Sequence, residues 1–520
     1  MQHNIIKQKH QKMETSNKLK LFTLFSGYES QMMALEAAAS NCQVSAELVG
    51  WSEIDKIVQS IHNAAYPEYA ERVYPDVTQI DWDTVGDIDI LFASSPCQDV
   101  SRAGIRKGMQ KDSSTRSSLV WEVEKAIAIK RPKWFIEENV MGMLDYIDDF
   151  ENLVRSISSY GYVCFFRGLK GCDYGIPHNR PRLFLVAIRI DEDEPYPVFQ
   201  WPESIGTTLT PEDLLSDCVD DKYYLSEEEI EAYVDLVRNA CDGYTSTLTT
   251  NDNSPTRFYN RQFTRRVNRI VAPLCKNGAI PTLTMGIQGV SLVSMAGCRQ
   301  ENHPCVIELW EGRPDIKPEI TDEKALNRKI KAKKECQESK RILNFIDSVK
   351  EGQYVRIRRL TPEECLRFLG VPDKQLQRIM QPYEQLLKEG YTEQQIYEML
   401  PTIKSRSKFH NKFSDYALYG RAGNSIIVDV MEAIFSEIIE QEYIGSNKGR
   451  EEVTRKIVKE GDKESVKERR RRTSRAYYER HKEDIRRKSR EYHRERRRQL
   501  KQVKELAGEY NSMSCPKAPA

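Results

Sequence analysis

The stretch Asp89-Ile-Leu-Phe-Ala-Ser-Ser-Pro-Cys-Gln-Asp-Val-Ser101 decides how this chain is read. From Ile88 to Ala93 it is a short, largely apolar run, of the length and composition of a strand buried in a parallel sheet. The run breaks at Ser94-Ser95-Pro96 and delivers Cys97 at the strand's carboxyl end, where ligands and reacting groups collect in open α/β sheets. That position makes Cys97 a candidate nucleophile. The alternative is a structural thiol, since free cysteine is among the most buried residue types.

Segments on either side repeat the pattern. Lys20 to Phe25 predicts a strand, followed by the turn Ser26-Gly27-Tyr28-Glu29-Ser30 and a helix over Gln31 to Ala39, the usual opening of a nucleotide-binding α/β unit. A second strand near 46–51 ends at Glu53, an acid placed to accept hydrogen bonds from ribose hydroxyls, and a helix over Asp55 to Ala64 follows. Asp76 offers another acid near the same edge, although both acids also suit helix N-termini. After Cys97, residues Gln98 to Ser118 lack periodicity and are rich in Ser, Gly, Lys and Arg, which predicts a mobile lid able to meet a phosphate backbone. A helix over Leu119 to Ile129 leads to a strand at 133–137 that ends in Glu138.

Strands near 21–25, 46–51, 88–93 and 133–137 alternating with helices predict a doubly wound, Rossmann-like sheet with Gly27, Glu53, Cys97 and Glu138 along one edge. A thiol and a carboxyl facing one pocket suit attack on an electrophilic ring whose nitrogen must be protonated, with burial keeping Glu138 protonated. Further on, Glu151 to Tyr160 is amphipathic, and the apolar runs Tyr162 to Arg167 and Leu183 to Ile188 predict a paired sheet edge. Between those runs Arg180 and Arg182 fall on one side of an extended chain, suited to a phosphate or a base carbonyl.

Composition bounds the rest. The 520 residues exceed one compact core, and 79 Lys and Arg balance 78 Asp and Glu. The balance hides an asymmetry: Lys448 to Glu505 holds 24 basic against 12 acidic residues, leaving 55 against 66 elsewhere, and a basic tail on an acidic body points to a polyanionic partner. Twelve cysteines include no C-x-x-C pair, and Cys298, His303 and Cys305 lack a fourth ligand, so no metal site is expected. The polar start and the absence of long apolar runs predict a soluble, cytoplasmic protein without membrane association.

From Asp191 to Glu351 the periodic signals weaken, and Thr256 to Arg266 interleaves basic and aromatic residues, predicting a smaller, mostly β and irregular domain facing nucleic acid. Thr361-Pro-Glu-Glu opens a capped helix, Gln375 to Leu400 reads as one helical stretch, and Gly423-Asn424-Ser425 precedes an apolar helix from Ile426 to Ile439. The basic tail from about residue 443 reads either as a solvated charged helix or as an arm for non-specific nucleic-acid contacts.

Ser95-Pro96-Cys97-Gln98, Glu138-Asn139-Val140, Arg180-x-Arg182, Arg359-Leu-Thr-Pro-Glu-Glu-Cys-Leu-Arg-Phe-Leu-Gly370 and Gly423-Asn424-Ser425 occur in this order. The ordered set resembles the DNA (cytosine-5) methyltransferases over about 18–190 and 352–440. The resemblance implies a catalytic domain in two parts (19–190 and 352–442) and a target-recognition domain between them (191–351); the polar start (1–18) reads as disordered, and the basic helical tail (443–520) lies outside the family pattern. It implies that Cys97 attacks C6 of a flipped cytosine, that Glu138 contacts the ring nitrogen and amino group, and that Arg182, beside Arg180, holds O2. S-adenosylmethionine would lie against Phe25, Gly27, Glu53, Ile54, Asp76, Pro96, Leu119, Asn424 and Ser425, while Gln98, Ser101 and Arg116 would touch double-stranded DNA; a monomer is expected. The family's first motif usually has two further glycines where this chain has Glu29 and Ser30, the usual Gln before the arginine pair is His178, and Ile54 replaces an aromatic residue. An RNA methyltransferase on the same scaffold and a catalytically idle DNA-binding regulator are the competing readings; the intact Cys97, Glu138 and Arg182 disfavour the second.

Overall fold

A computed structural model describes residues 18–441 apart from 43, 102–105, 112, 192–196, 227–229, 231–243, 248–262, 273–278, 282–304, 313–328, 333–336, 351–352 and 405–411. The expected basic tail, the polar start, most of the basic-aromatic segment from Thr256, Cys298 and His303 lie outside the described residues. The chain divides into two units, Met1–Ile188 with Phe199–Asn447, and Arg189–Val198 with Lys448–Ala520. In the second, Arg189 Nε lies 2.7 Å from Asp191 Oδ1.

The first unit is built on a six-stranded mixed sheet. Its strands are β1 (Lys18–Leu24), β2 (Ser45–Ser52), β3 (Ile90–Ala93), β4 (Trp134–Val140), β5 (Tyr162–Lys170) and β6 (Pro181–Arg189), in the spatial order β2-β1-β3-β4-β6-β5. The first four are mutually parallel, whereas β6 runs antiparallel to β4. Helices α1 (Ser30–Asn41), α2 (Lys56–Ala65), α3 (Val123–Lys130) and α4 (Ile147–Ser159) follow β1, β2, β3 and β4.

Both faces are covered, which is why the central strands read as continuous apolar runs. Leu21, Ile90, Phe92, Ile136 and Phe184 point into one core with α1 and α2, and Phe22, Leu91, Phe135 and Leu185 into the other with α3 and α4. Asp55 caps α2, its side chain accepting from the N–H groups of Ile57 and Val58. The last described helix, α7 (Val428–Ile439), returns to the first core and packs on α1.

Several local expectations change. The stretch read as one helix from Gln375 to Leu400 is three, Asp373–Met380, Pro382–Lys388 and Glu393–Met399. Pro382 cannot continue the first, Gly390 at φ 94° ends the second, and Thr392 caps the third. Residues 116–122 form a 3-10 turn before α3. Gly423 and Asn424 do not open a helix; they close α6 (Asp415–Asn424), and Ser425 stands between it and α7.

In the region between 199 and 360, Phe263–Ala272, Cys305–Gly312 and Gln353–Arg359 form a three-stranded antiparallel sheet. Arg358 ties it to α5 (Pro362–Arg367): its guanidinium is fully buried, 3.2 Å from Glu308 and 2.8 Å from Glu364. Glu364 also completes the expected capping box with Thr361. Among the described residues no helix is long and apolar enough to cross a membrane.

Candidate active site

Parallel register brings the strand ends together. Leu24 pairs with Ser52 and with Ala93, and Ala93 pairs with Glu137, so these residues form one row across β2, β1, β3 and β4. Gly27, Glu53, Cys97 and Glu138 each lie just past that row. Because β6 is antiparallel, with Arg182 opposite Val140, its amino-terminal end carries Arg182 to the same edge. The alternation of elements was legible in sequence; this meeting of opposite chain directions was not.

Around Cys97 the backbone is firmly held. The Cys97 carbonyl accepts from the N–H groups of Val100 (3.1 Å) and Ser101 (2.7 Å). Ser117 Oγ donates to the Pro96 carbonyl (2.6 Å) and accepts from Asp99 N–H (3.1 Å). Glu138 accepts from Ser94 Oγ at 2.7 Å through one oxygen, and its other oxygen lies 3.2 Å from Arg182 Nε. Burial raises the Glu138 carboxyl above its ordinary value, with Arg182 and the Ser94 bond opposing. Burial likewise pushes the Cys97 thiol up; Arg182 pulls it back, and Glu138 adds to the rise. Arg180 is buried and donates through Nη2 to the Gly423 carbonyl at 2.7 Å, joining the arginine pair to the end of α6. A thiol needing only deprotonation, a carboxyl biased toward its proton and a guanidinium beside both can add a nucleophile to a ring and protonate a ring nitrogen.

The residues expected at the cofactor are organised by backbone turns. Gly27 has φ 60°, and a Cβ placed there would meet nothing within 4 Å, leaving open space above the turn. Its N–H donates to Glu53 Oε2 (3.2 Å), whose other oxygen accepts from Asp55 N–H (3.0 Å). Burial raises the Glu53 carboxyl. Ser26 donates through N–H and Oγ to the Ser52 carbonyl at 3.0 and 2.9 Å, locking the turn to β2. Phe25 precedes it at φ 57°.

Glu29 and Ser30 are built into this turn. Glu29 keeps a left-handed backbone, φ 72°, and is fully buried, accepting from Thr23 Oγ1 at 2.9 Å. The same Oε2 lies 3.1 Å from His62 Nε2, and the His62 ring stacks on Trp51 with centroids 3.6 Å apart. Ser30 Oγ shares a 2.8 Å hydrogen bond with Ser425 Oγ, connecting the first motif to the last. Ile54 is 71% exposed, Asn424 is exposed, and Asp76 accepts from Thr78 within its own short turn. Leu119 is half-buried beside the second core. Of the expected DNA contacts, Arg116 donates to Gln98 at 3.2 Å, while Ser101 is half-buried behind Cys97. Sequence reasoning missed Ser94, Ser117 and Glu137; Ser94 and Ser117 are small polar residues whose partners lie far along the chain.

An α/β enzyme with a thiol, a carboxyl and a guanidinium at the ligand-binding edge is the class that this fold and site define. Residues 19–440 match the family model of C-5 cytosine-specific DNA methylase. The chain is 27% identical over 475 residues to the orphan methyltransferase M.SPRI of Bacillus phage SPR, covering 81% of this chain and 98% of that protein. It is 35% identical over 159 residues to the type II methyltransferase M2.ScrFI of Lactococcus lactis subsp. cremoris, covering 30% and 43% of the two chains. The solved structure of a Spodoptera frugiperda DNMT2 mutant aligns with 81% of this chain and 100% of its own, at 14% identity and TM-score 0.46. The chain belongs to the C-5 cytosine-specific DNA methylase family and is a DNA (cytosine-5) methyltransferase.

Proposed function

We propose that the enzyme methylates C5 of a cytosine flipped out of a short, specific duplex sequence, through a covalent bond between Cys97 and C6. The observation that carries this is the convergence of Cys97, Glu138 and Arg182 at one sheet edge from three separate strands. Extrusion of the base has a physical reason, since C5 and C6 are closed to attack within the stack. The Cys97 thiolate adds to C6; Glu138 donates its proton to N3 and accepts from the amino group; Arg182 holds O2 and, with Arg180, offsets the negative charge that addition places on the ring. Loss of the C5 proton to a base and return of the N3 proton to Glu138 then let the Cys97–C6 bond break, which gives back the thiolate and a neutral ring.

The residues fit S-adenosylmethionine. The space over Gly27, with Phe25 beside it, leaves room for the cofactor, Glu53 faces that space to take its ribose hydroxyls, and Asp76, Ile54, Pro96, Leu119, Asn424 and Ser425 complete the binding surface. When bound, the cofactor supplies an electrophilic methyl group. Gln98, Ser101 and Arg116 hold DNA phosphates as the loop after Cys97 closes. Residues 19–190 and 352–442 serve as the catalytic domain and 191–351 read the target sequence, while the basic tail, 443–520, adds non-specific DNA affinity to a monomer. The phage and bacterial relatives favour a cytoplasmic enzyme of a bacterium or mobile element.

A duplex carrying 5-fluorocytosine tests the covalent step, because fluorine at C5 cannot leave as a proton does. Wild type should form a denaturation-resistant adduct that Cys97→Ser does not. Active methylation without any adduct, or equal methyl transfer by Cys97→Ser, would refute the assignment.

A further inference from the structure

The proposed chemistry leaves one buried acid of this edge unused. Glu137 precedes Glu138 on β4, so strand alternation turns it to the opposite face, level with Ala93 of β3 and Leu185 of β6. It is 1% exposed. Its Oε1 accepts from Ser95 N–H at 3.3 Å and from Ser95 Oγ at 2.5 Å. Asn139 Nδ2, 3.5 Å from the same oxygen, also reaches Ser95 Oγ (3.0 Å) and the Ser95 carbonyl (3.2 Å). Ser95 is therefore held at its N–H, hydroxyl and carbonyl by two residues of one strand. Only Pro96, with its ring-fixed φ, stands between Ser95 and Cys97, so orientation at Ser95 passes directly to the thiol.

The remaining oxygen, Oε2, has no hydrogen-bond partner among the described residues. A bare buried oxygen costs far more on an ionised carboxylate than on a protonated carboxyl. The groups facing it are Ser95 from the end of β3 and Asn139 on β4, with the Glu138 carboxyl next along the strand on the other face; burial, opposed by the Ser95 and Asn139 bonds, raises the carboxyl to about 8.

We propose that Glu137 is a positioning residue that acts as a neutral carboxylic acid, clamping Ser95 so that Pro96-Cys97 presents its thiol to the cytosine ring. The inference rests on Cys97 being the nucleophile. It assigns work to an acid whose neighbour, Glu138, does different work one residue away on the opposite face.

Single-turnover adduct formation on the 5-fluorocytosine duplex, at saturating DNA and S-adenosylmethionine, tests it. Glu137→Leu should slow adduct formation by about 10- to 100-fold with both KM values within about twofold, since misplacing a nucleophile by an ångström costs that much. Glu137→Gln, which keeps the acceptor oxygen and is uncharged, should restore the rate to within about threefold. Ser95→Ala should lose as much as Glu137→Leu, and the double variant no more than either single one. A wild-type rate in Ser95→Ala, additive losses in the double variant, or no rescue by Glu137→Gln would overturn the clamp. Ser95→Ala leaves the buried carboxyl in place, so it carries the test should Glu137→Leu fail to fold. Absence of any adduct in wild type would instead remove the nucleophile assignment, and the clamp's purpose with it.

Discussion

The two halves of the sheet edge are built by different means. At the ends of β3 and β4 the working groups are side chains, and each is set by other side chains: Ser94 and Arg182 on Glu138, Ser117 on the Pro96 turn, Glu137 and Asn139 on Ser95. At the ends of β1 and β2 the surface is mostly backbone, shaped by left-handed turns at Phe25, Gly27 and Glu29 and tied together by Ser26 and Glu53. The contrast teaches where substitution is tolerated. The thiol and acid proposed to react leave little room for error in distance. A cofactor cradle needs only open space and directed polar groups, so a buried Glu29 can stand where glycine is usual if its carboxylate finds partners elsewhere.

Three substitutions probe that contrast, from large effect to small. Glu138→Gln keeps the shape and the Ser94 bond but removes the acid proton; methyl transfer should fall by about 100-fold or more, with the cofactor Kd unchanged by calorimetry. Because burial holds the Cys97 thiol above its ordinary value, the trapping rate of wild type should rise as pH increases toward that value and level off above it; a rate independent of pH from 6 to 9 would show that thiol ionisation does not limit addition. On the cofactor side, Glu53→Ala should weaken cofactor binding by about tenfold while leaving the rate at saturation nearly unchanged, as loss of one hydrogen-bonding acid predicts. An equal fall in the saturated rate would mean that the two halves of the edge are not separable.

The smallest functional effect is expected at Glu29. Glu29→Gly relieves a left-handed strain of about 1–2 kcal/mol. It also strips Thr23 and His62 of a buried partner, at about 1–3 kcal/mol for a group left unsatisfied. The melting temperature should fall by a few degrees, with cofactor Kd within about threefold of wild type. A large loss of cofactor affinity without loss of stability would show that the carboxylate shapes the cradle itself.

Much of this was legible in the chain. The apolar runs ending at Phe25, Trp51, Ala93 and Ile136 announced the parallel strands, because strands buried on both faces need nearly continuous apolar residues. Cys97 and Glu138 were legible for the same reason: a polar residue at the end of such a run lies where the sheet opens to solvent. The helix α6 was missed because Gly420, Arg421 and Gly423 interrupt its apolar spacing, and Gly423-Asn424-Ser425 was therefore assigned to the wrong end of a helix. The break at Pro382 is a local signal, since proline cannot continue the preceding helix; α7 was expected, but its place beside α1 is not available from local pattern. Glu137 escaped notice because one acid beside another on a strand looks like a solvated pair, whereas the register buries it on the far face.

The sequence by itself determined the alternating strands and helices, the residues that end each strand, and, through the ordered motifs, the family. These are local properties, carried by apolar spacing, caps and short polar signatures. Tertiary structure alone decided that β6 runs against β4 and so carries Arg182 to Glu138, that His62 and Thr23 complete Glu29, that Arg358 lies between Glu308 and Glu364, and that Glu137 and Asn139 grip the turn before Cys97. Each depends on burying polar groups whose partners are distant in the chain, and such pairing follows from how the layers pack rather than from any local pattern.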